Sequence, residues 1–142
     1  MSDHDFGIEC NCFALRQAAR FATQIYERHL SAVGVTPAQF SILARLSRQR
    51  DVLMSDLADA MVMDRTTLLR ALKPLQRDGL VEAAPSESDA RAHSLNLTKE
   101  GQRIFGKAKI AWKAAQDEFE STFGRTRSKA LRGELFSLTA KR

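Results

Sequence analysis

Ser55-Asp56-Leu57-Ala58-Asp59-Ala60-Met61 and, across a short turn, Asp64-Arg65-Thr66-Thr67-Leu68-Leu69-Arg70-Ala71-Leu72-Lys73-Pro74-Leu75-Gln76-Arg77-Asp78-Gly79 read as two consecutive short helices. In the first, Leu57, Ala58 and Met61 fall at helical spacing and make a buried stripe, although its start near Leu53 offers no good cap. In the second, Asp64 is a favourable N-cap, Gly79 supplies the stop, and Leu68, Ala71, Leu72 and Leu75 form the apolar stripe. Pro74 sits inside this helix, where it removes one hydrogen bond and crowds the preceding turn, so a bend is expected in the last turns.

Working outward, Leu80 to Ala84 and Ser94 to Leu97 have strand character, and the polar, turn-prone segment between them makes a β-hairpin with an extended tip. Upstream, Thr36-Pro37-Ala38-Gln39 reads as a capping box with Pro at the first helical position, opening a helix to about Arg48, and Gly34 can take the left-handed conformation before it. Two helices joined by a tight turn and followed by a hairpin make a winged helix-turn-helix over about residues 36–98. In that arrangement the second helix enters a major groove and the hairpin tip reaches the adjacent minor groove.

The flanks are helical too. No Gly or Pro interrupts Glu9 to Leu30, where Phe13, Ala14, Ala18, Phe21, Ala22, Ile25 and His29 recur at steps of three and four. Thr98 caps a helix to about Phe123, Gly124 ends it, and a last helix follows over about 127–139. Nothing else in the chain is large enough to cover these apolar stripes, so about 9–31 and 99–140 are read as dimerisation helices of a two-fold homodimer. Trp112, Phe21 and Tyr26 are aromatics on these helices that either line a ligand cavity or belong to the core. The expected fold class is mainly α with a small β-hairpin wing, one domain over 1–142.

A chain of 142 residues, 44% hydrophobic and 27% charged, is one globular domain rather than a disordered or disulfide-stapled chain. The net charge of +5 is uneven: the middle third carries six bases against nine acids, yet four of those bases, Arg65, Arg70, Lys73 and Arg77, fall on the second short helix. Placement of charge, more than its total, points to nucleic acid. No apolar run approaches the ~20 residues that a membrane span needs, and the acidic start, Ser2-Asp3-His4-Asp5, is unlike a secretory signal, so a cytoplasmic protein is expected. Neither a phosphate-binding Gly-rich loop nor a His-Glu-x-x-His nor a nucleophile elbow occurs. No enzyme and no cofactor are expected, and Cys10, Cys12 and His4 have poor spacing for a metal site.

These residues carry a resemblance that spans nearly the whole chain. Gly34-Val35-Thr36-Pro37-Ala38-Gln39-Phe40 with Leu43, Ser55-Asp56-Leu57-Ala58, Met63-Asp64-Arg65-Thr66-Thr67-Leu68, Asp78-Gly79-Leu80-Val81 and Asp89-Ala90-Arg91 leading into Leu95-Asn96-Leu97-Thr98-Lys99-Glu100-Gly101 together resemble the MarR family of bacterial transcription regulators. The resemblance implies a dimeric DNA-binding protein, often a repressor, whose grip is changed by a small molecule or by thiol oxidation.

On the second helix, Arg65, Thr66, Thr67, Leu69, Arg70 and Lys73 lie off the buried stripe and are the groove-facing candidates. Arg65 or Arg70 is the expected base reader, since Arg donates bidentately to guanine. Leu69 either packs on a thymine methyl or is buried by the bend at Pro74. Ser55 either bonds a phosphate or only caps its helix. Arg91 matches the family's wing arginine, with Asp89 holding its guanidinium.

Cys12-Phe13-Ala14-Leu15 is also similar to the organic-hydroperoxide-sensing branch of the family, and Tyr26 falls where that branch carries a tyrosine that bonds the thiolate. Arg16 replaces a second tyrosine there but, one turn from Cys12, could itself stabilise a thiolate; Pro37 and Phe40 also depart from the branch. On a regular helix Cys10 and Cys12 are about 200° apart, which disfavours a bond between them and leaves an intersubunit disulfide or a sulfenic acid as the oxidised product. Two alternatives stand beside an effector-controlled regulator: a thiol-based peroxide sensor, and a winged-helix interaction module without DNA binding.

Overall fold

The computed structural model describes residues 3–87 and 92–140. Its elements run α1 (Phe6–Glu9), α2 (Asn11–Leu30), α3 (Pro37–Arg48), β1 (Val52–Leu53), α4 (Met54–Met61), α5 (Arg65–Arg77), β2 (Val81–Pro85), β3 (His93–Leu97), α6 (Lys99–Phe123) and α7 (Arg125–Thr139), with a 3-10 turn at Ser31–Val33.

The local signals set most of these boundaries. Thr36 Oγ1 accepts from the Gln39 amide at 3.1 Å while the Thr36 amide donates to Gln39 Oε1 at 3.0 Å, a complete capping box ahead of Pro37. Thr98 caps α6 by accepting from the Gly101 amide at 3.0 Å. Gly34 and Gly79 take φ of 80° and 74° just past the ends of helical segments, where a side chain would be strained. Leu53, ahead of α4, makes no side-chain cap, as its sequence suggests.

The core lies in the middle of the chain. Ile42 and Leu43 of α3, Leu57 of α4, Leu68 and Leu72 of α5 and Leu95 of β3 are fully enclosed. Burying each such side chain contributes roughly 1.5–3 kcal/mol. Helix α5 runs through Pro74 to Arg77, and the Pro74 carbonyl accepts from the Asp78 amide at 3.0 Å.

Three features correct the sequence reading. The hairpin belongs to a three-stranded antiparallel sheet of order β1-β3-β2, in which Val52 pairs with Leu95 and Leu53 with Ser94. Two residues are too few to show an alternating pattern, and β1 exists only because β3 offers a paired edge. The first helix is interrupted: Cys10 has an extended backbone (φ −79°, ψ 111°) between α1 and α2, so it lies outside the regular helix that the 200° separation assumes. Helix α7 starts at Arg125, directly after Gly124.

The flanking helices behave differently from the core. Helix α2 packs along α6, yet only Ile25 and Leu30 of α2 are buried, and α7 buries only Ser128. Phe13, Phe21, Leu131, Leu135, Phe136 and Leu138 remain exposed. Among the described residues no helix is long and apolar enough to cross a membrane.

Candidate nucleic-acid interface

Helices α4 and α5 are joined by Val62, Met63 and Asp64, and the turn is tight because Val62 is left-handed (φ 53°, ψ 46°) and its amide donates back to Ala58 and Asp59 carbonyls. Asp64 Oδ1 accepts from the Thr67 amide at 2.7 Å and starts α5. This bond, with the positive charge of Arg70 adding a smaller effect, holds the Asp64 carboxyl below its ordinary range.

Helix α5 presents two faces. Leu68, Leu72 and Leu75 are buried and Ala71 is half-buried, while Arg65, Thr66, Thr67, Leu69, Arg70 and Lys73 are all exposed. Leu69 is 41% accessible, so Pro74 does not bury it. From Arg65 to Lys73 this face is about 12 Å long, at ~1.5 Å per residue, short enough to fit within a major groove. Among the described residues none of its three cations is in an ion pair.

The first turn of α4, the start of α5 and the base of the hairpin converge. Ser55, Arg65 and His93 line one small cavity of about 110 Å³ beside Leu53 and Met54. Ser55 is exposed and caps nothing, since the N-cap position of α4 is Leu53. His93 is a member that the sequence reading missed; only its place at the first residue of β3, opposite Pro85, could have marked it. Asp89 and Arg91 lie outside the described residues.

Of the three residues of the thiol reading, Cys12 and Arg16 lie one turn apart on α2 and Tyr26 is remote from both. Cys12 and Arg16 are exposed near the start of α2, whereas Tyr26 is fourteen positions beyond Cys12, about 21 Å along a helix rising ~1.5 Å per residue. Within one chain Tyr26 does not meet the thiol: its hydroxyl donates to Gln116 on α6, and burial, followed by the charge of Glu120, raises its pKa. Cys10 is half-buried as the N-cap of α2, its Sγ accepting from the Phe13 amide at 3.3 Å. Among the described residues no group of three or more His, Cys, Asp or Glu is placed to hold a metal ion.

Of the aromatics Trp112, Phe21 and Tyr26, Trp112 stacks on Phe40 with ring centroids 6.1 Å apart, and both line a cavity of about 370 Å³ with Arg45, Arg48 and Met61. Tyr26 lines a separate apolar cleft against α7, and Phe21 is exposed.

A helix-turn-helix whose second helix carries a basic face with no ion pair among the described residues, backed by a small antiparallel wing, defines a winged-helix fold. The comparisons with known proteins agree: the MarR family model matches residues 33–92. The structure of the Mycobacterium tuberculosis transcriptional regulator MosR in complex with DNA is 36% identical, with a TM-score of 0.77, over 94% of this chain and 100% of that one. The transcriptional repressor CouR bound to a 23-mer DNA duplex is 27% identical, with a TM-score of 0.84, over 96% and 99% of the two chains. The organic hydroperoxide resistance transcriptional regulator of Bacillus subtilis is 28% identical over 68% of this chain and 66% of its own length. The chain spans between about half and two thirds of the length of such sequence relatives. The chain belongs to the MarR family.

Proposed function

We propose that the protein is a homodimeric repressor that places two α5 helices in successive major grooves of a pseudo-palindromic operator, with half-sites roughly 10 bp apart. The observation that carries this reading is the exposed face of α5, whose cations form no ion pair among the described residues, beside the Ser55, Arg65 and His93 cavity. Arg65 and Arg70 are assigned to base edges, Thr66, Thr67 and Lys73 to edges or phosphates, Leu69 to a thymine methyl, and Ser55 to a phosphate. Asp89 and Arg91 are assigned to the wing contact on family resemblance. MosR and CouR, both solved on DNA, support the assignment by likeness. No catalytic role is assigned to any residue.

The dimer surface is assigned to the apolar side chains exposed on the two ends of the chain: Phe6, Phe13 and Phe21 with Leu131, Leu135 and Phe136. An exposed apolar band of this kind is characteristic of an association surface. Domain boundaries of about 36–98 for the DNA-reading unit and 9–31 with 99–140 for dimerisation follow from that division. The cavity between Phe40 and Trp112, with Arg45 at its rim, is the candidate seat of a small-molecule effector, because it joins the dimerisation helix α6 to α3 and α4.

A second reading, oxidation at Cys12, is favoured by the exposure of that thiol and the relation to the hydroperoxide regulator. Selection of operator fragments from genomic DNA, followed by titration of reduced protein, hydroperoxide-treated protein and Cys12→Ser, tests both. The expected result is a selective site bound by reduced protein. Loss of binding on oxidation in the wild type alone would establish the thiol switch, and peroxide-indifferent binding would leave the effector reading. Absence of any selective site would overturn the regulator reading and favour an interaction module.

A further inference from the structure

We propose that the cavity bounded by the end of α3, the turn after it and the first half of α6 binds a small phosphorylated metabolite of about mononucleotide size. Its volume is about 420 Å³. Pockets of roughly 300–1,000 Å³ are those that hold small ligands.

The side chains that reach it make an anion site. Arg48 and Arg50, at and just beyond the end of α3, and Lys109 of α6 line the cavity from two segments of the chain. Among the described residues none of them is in an ion pair. Basic residues in the last turn of a helix ordinarily offset its carbonyl end. That accounts for Arg48 on α3, but not for Arg50, which lies beyond the helix, nor for Lys109, which comes from α6. The amides of Gln49 and Gln102 add neutral donors on the same walls.

The turn that carries Arg50 is held in place. Asp51 has a left-handed backbone, φ 54°, uncommon outside glycine. Its amide donates to Asn96 Oδ1 at 2.9 Å and its Oδ1 accepts from Asn96 Nδ2 at 2.8 Å. This reciprocal clasp engages the nearest acid of the turn and ties the turn to β3. Phe105 forms an apolar floor, with Lys109 Nζ 5.5 Å from its ring centroid. Two guanidinium groups and one ammonium group suit a doubly charged phosphate, whose several oxygens accept forked donors. The apolar floor suits the remainder of a phosphate ester.

The site shares no residue with the DNA-facing side of α5, so calorimetric titration of DNA-free protein with ADP and with inorganic pyrophosphate tests it independently of the regulator reading. Arg50→Ala, Lys109→Ala and, as a recognition-helix control, Arg70→Ala are titrated alongside, with thermal melts to confirm folding. The expected result is micromolar binding of both probes, weakened about tenfold or more in Arg50→Ala and Lys109→Ala and unchanged in Arg70→Ala. Failure of either probe to bind at millimolar concentration overturns the proposal. So does binding that Arg70→Ala abolishes while Arg50→Ala and Lys109→Ala retain it, because the anion would then sit on the DNA-binding helix. Citrate binding as tightly as pyrophosphate would overturn the choice of phosphate over carboxylate.

Discussion

Val62 illustrates how one residue can work against its own preference for the sake of a turn. A β-branched side chain at φ 53° is an outlier that costs on the order of 1–3 kcal/mol, and Val62 is 55% exposed, so packing returns little of it. Val62→Gly removes the strain but adds chain entropy to the unfolded state, for a net gain of about 1 kcal/mol. Thermal melts should show Tm rising by about 2–4 °C, and an unchanged or lower Tm would contradict the strain argument. On the neighbouring helix, Arg70→Ala should cost roughly 1–3 kcal/mol of discrimination at one base position. Lys73→Ala should weaken all sequences alike and lower the salt slope of binding by about 0.9 for each phosphate that Lys73 neutralises. Operator titrations at several salt concentrations separate the two. Equal loss of specificity in both variants would show that Lys73 also reads bases.

At the scale of elements, the join between the wing and α6 depends on a missing side chain. A Cβ on Gly101 would lie 2.1 Å from the Leu80 carbonyl oxygen, and backbone cannot yield as a flexible side chain can. Gly101→Ala should therefore destabilise by about 1–3 kcal/mol, seen as a lower urea midpoint. Wild-type stability in that variant would mean that α6 can slide without cost. The packing of α2 on α6 ends in an ionic cluster, with Arg28 and His29 Nε2, the latter at 2.9 Å, both meeting Glu118. The bond from Arg28, then that from His29, depresses the Glu118 carboxyl from 4.5 to about 2. A depressed carboxylate stabilises the folded state above its unfolded pKa and loses that effect as pH falls through the folded value. The stability difference between wild type and Glu118→Gln should hold near neutrality and shrink between pH 4.5 and about 2. Melts of both proteins across that range check it, and because the cluster is exposed the effect should be small. A difference independent of pH would remove the ionic explanation.

The whole molecule has two kinds of surface, and they bear on each other. The winged unit is closed around its own core, whereas the terminal helices leave a band of Phe and Leu in contact with water. Phe136, 69% exposed on α7, should tolerate Phe136→Glu in the fold of the chain but not in a dimer. Sedimentation should show this variant as a monomer, and operator affinity should fall far more than affinity for an isolated half-site, because the two half-sites are no longer linked. A variant that stays dimeric would move the interface elsewhere.

What could be read from the order of residues was whatever depends on near neighbours along the chain. The capping box at Thr36, the Asp64 cap, the left-handed Gly34 and Gly79, and the division of α5 into a buried stripe and an exposed basic face all follow from spacings of three and four residues. The same spacings, in that order, were enough for the winged helix-turn-helix and for the groove-facing candidates. Tertiary structure decided what depends on distant partners. Strand β1 forms because Leu95 and Ser94 are brought alongside it, some forty residues later. Tyr26 turns to Gln116 on α6, which no local pattern announces. The meeting of His93 with the α4–α5 entrance, or of Arg50 and Lys109 around one cavity, joins segments whose separation along the chain carries no periodic signal. Local geometry is written in short-range spacing, but proximity across the fold exists only after the core has packed.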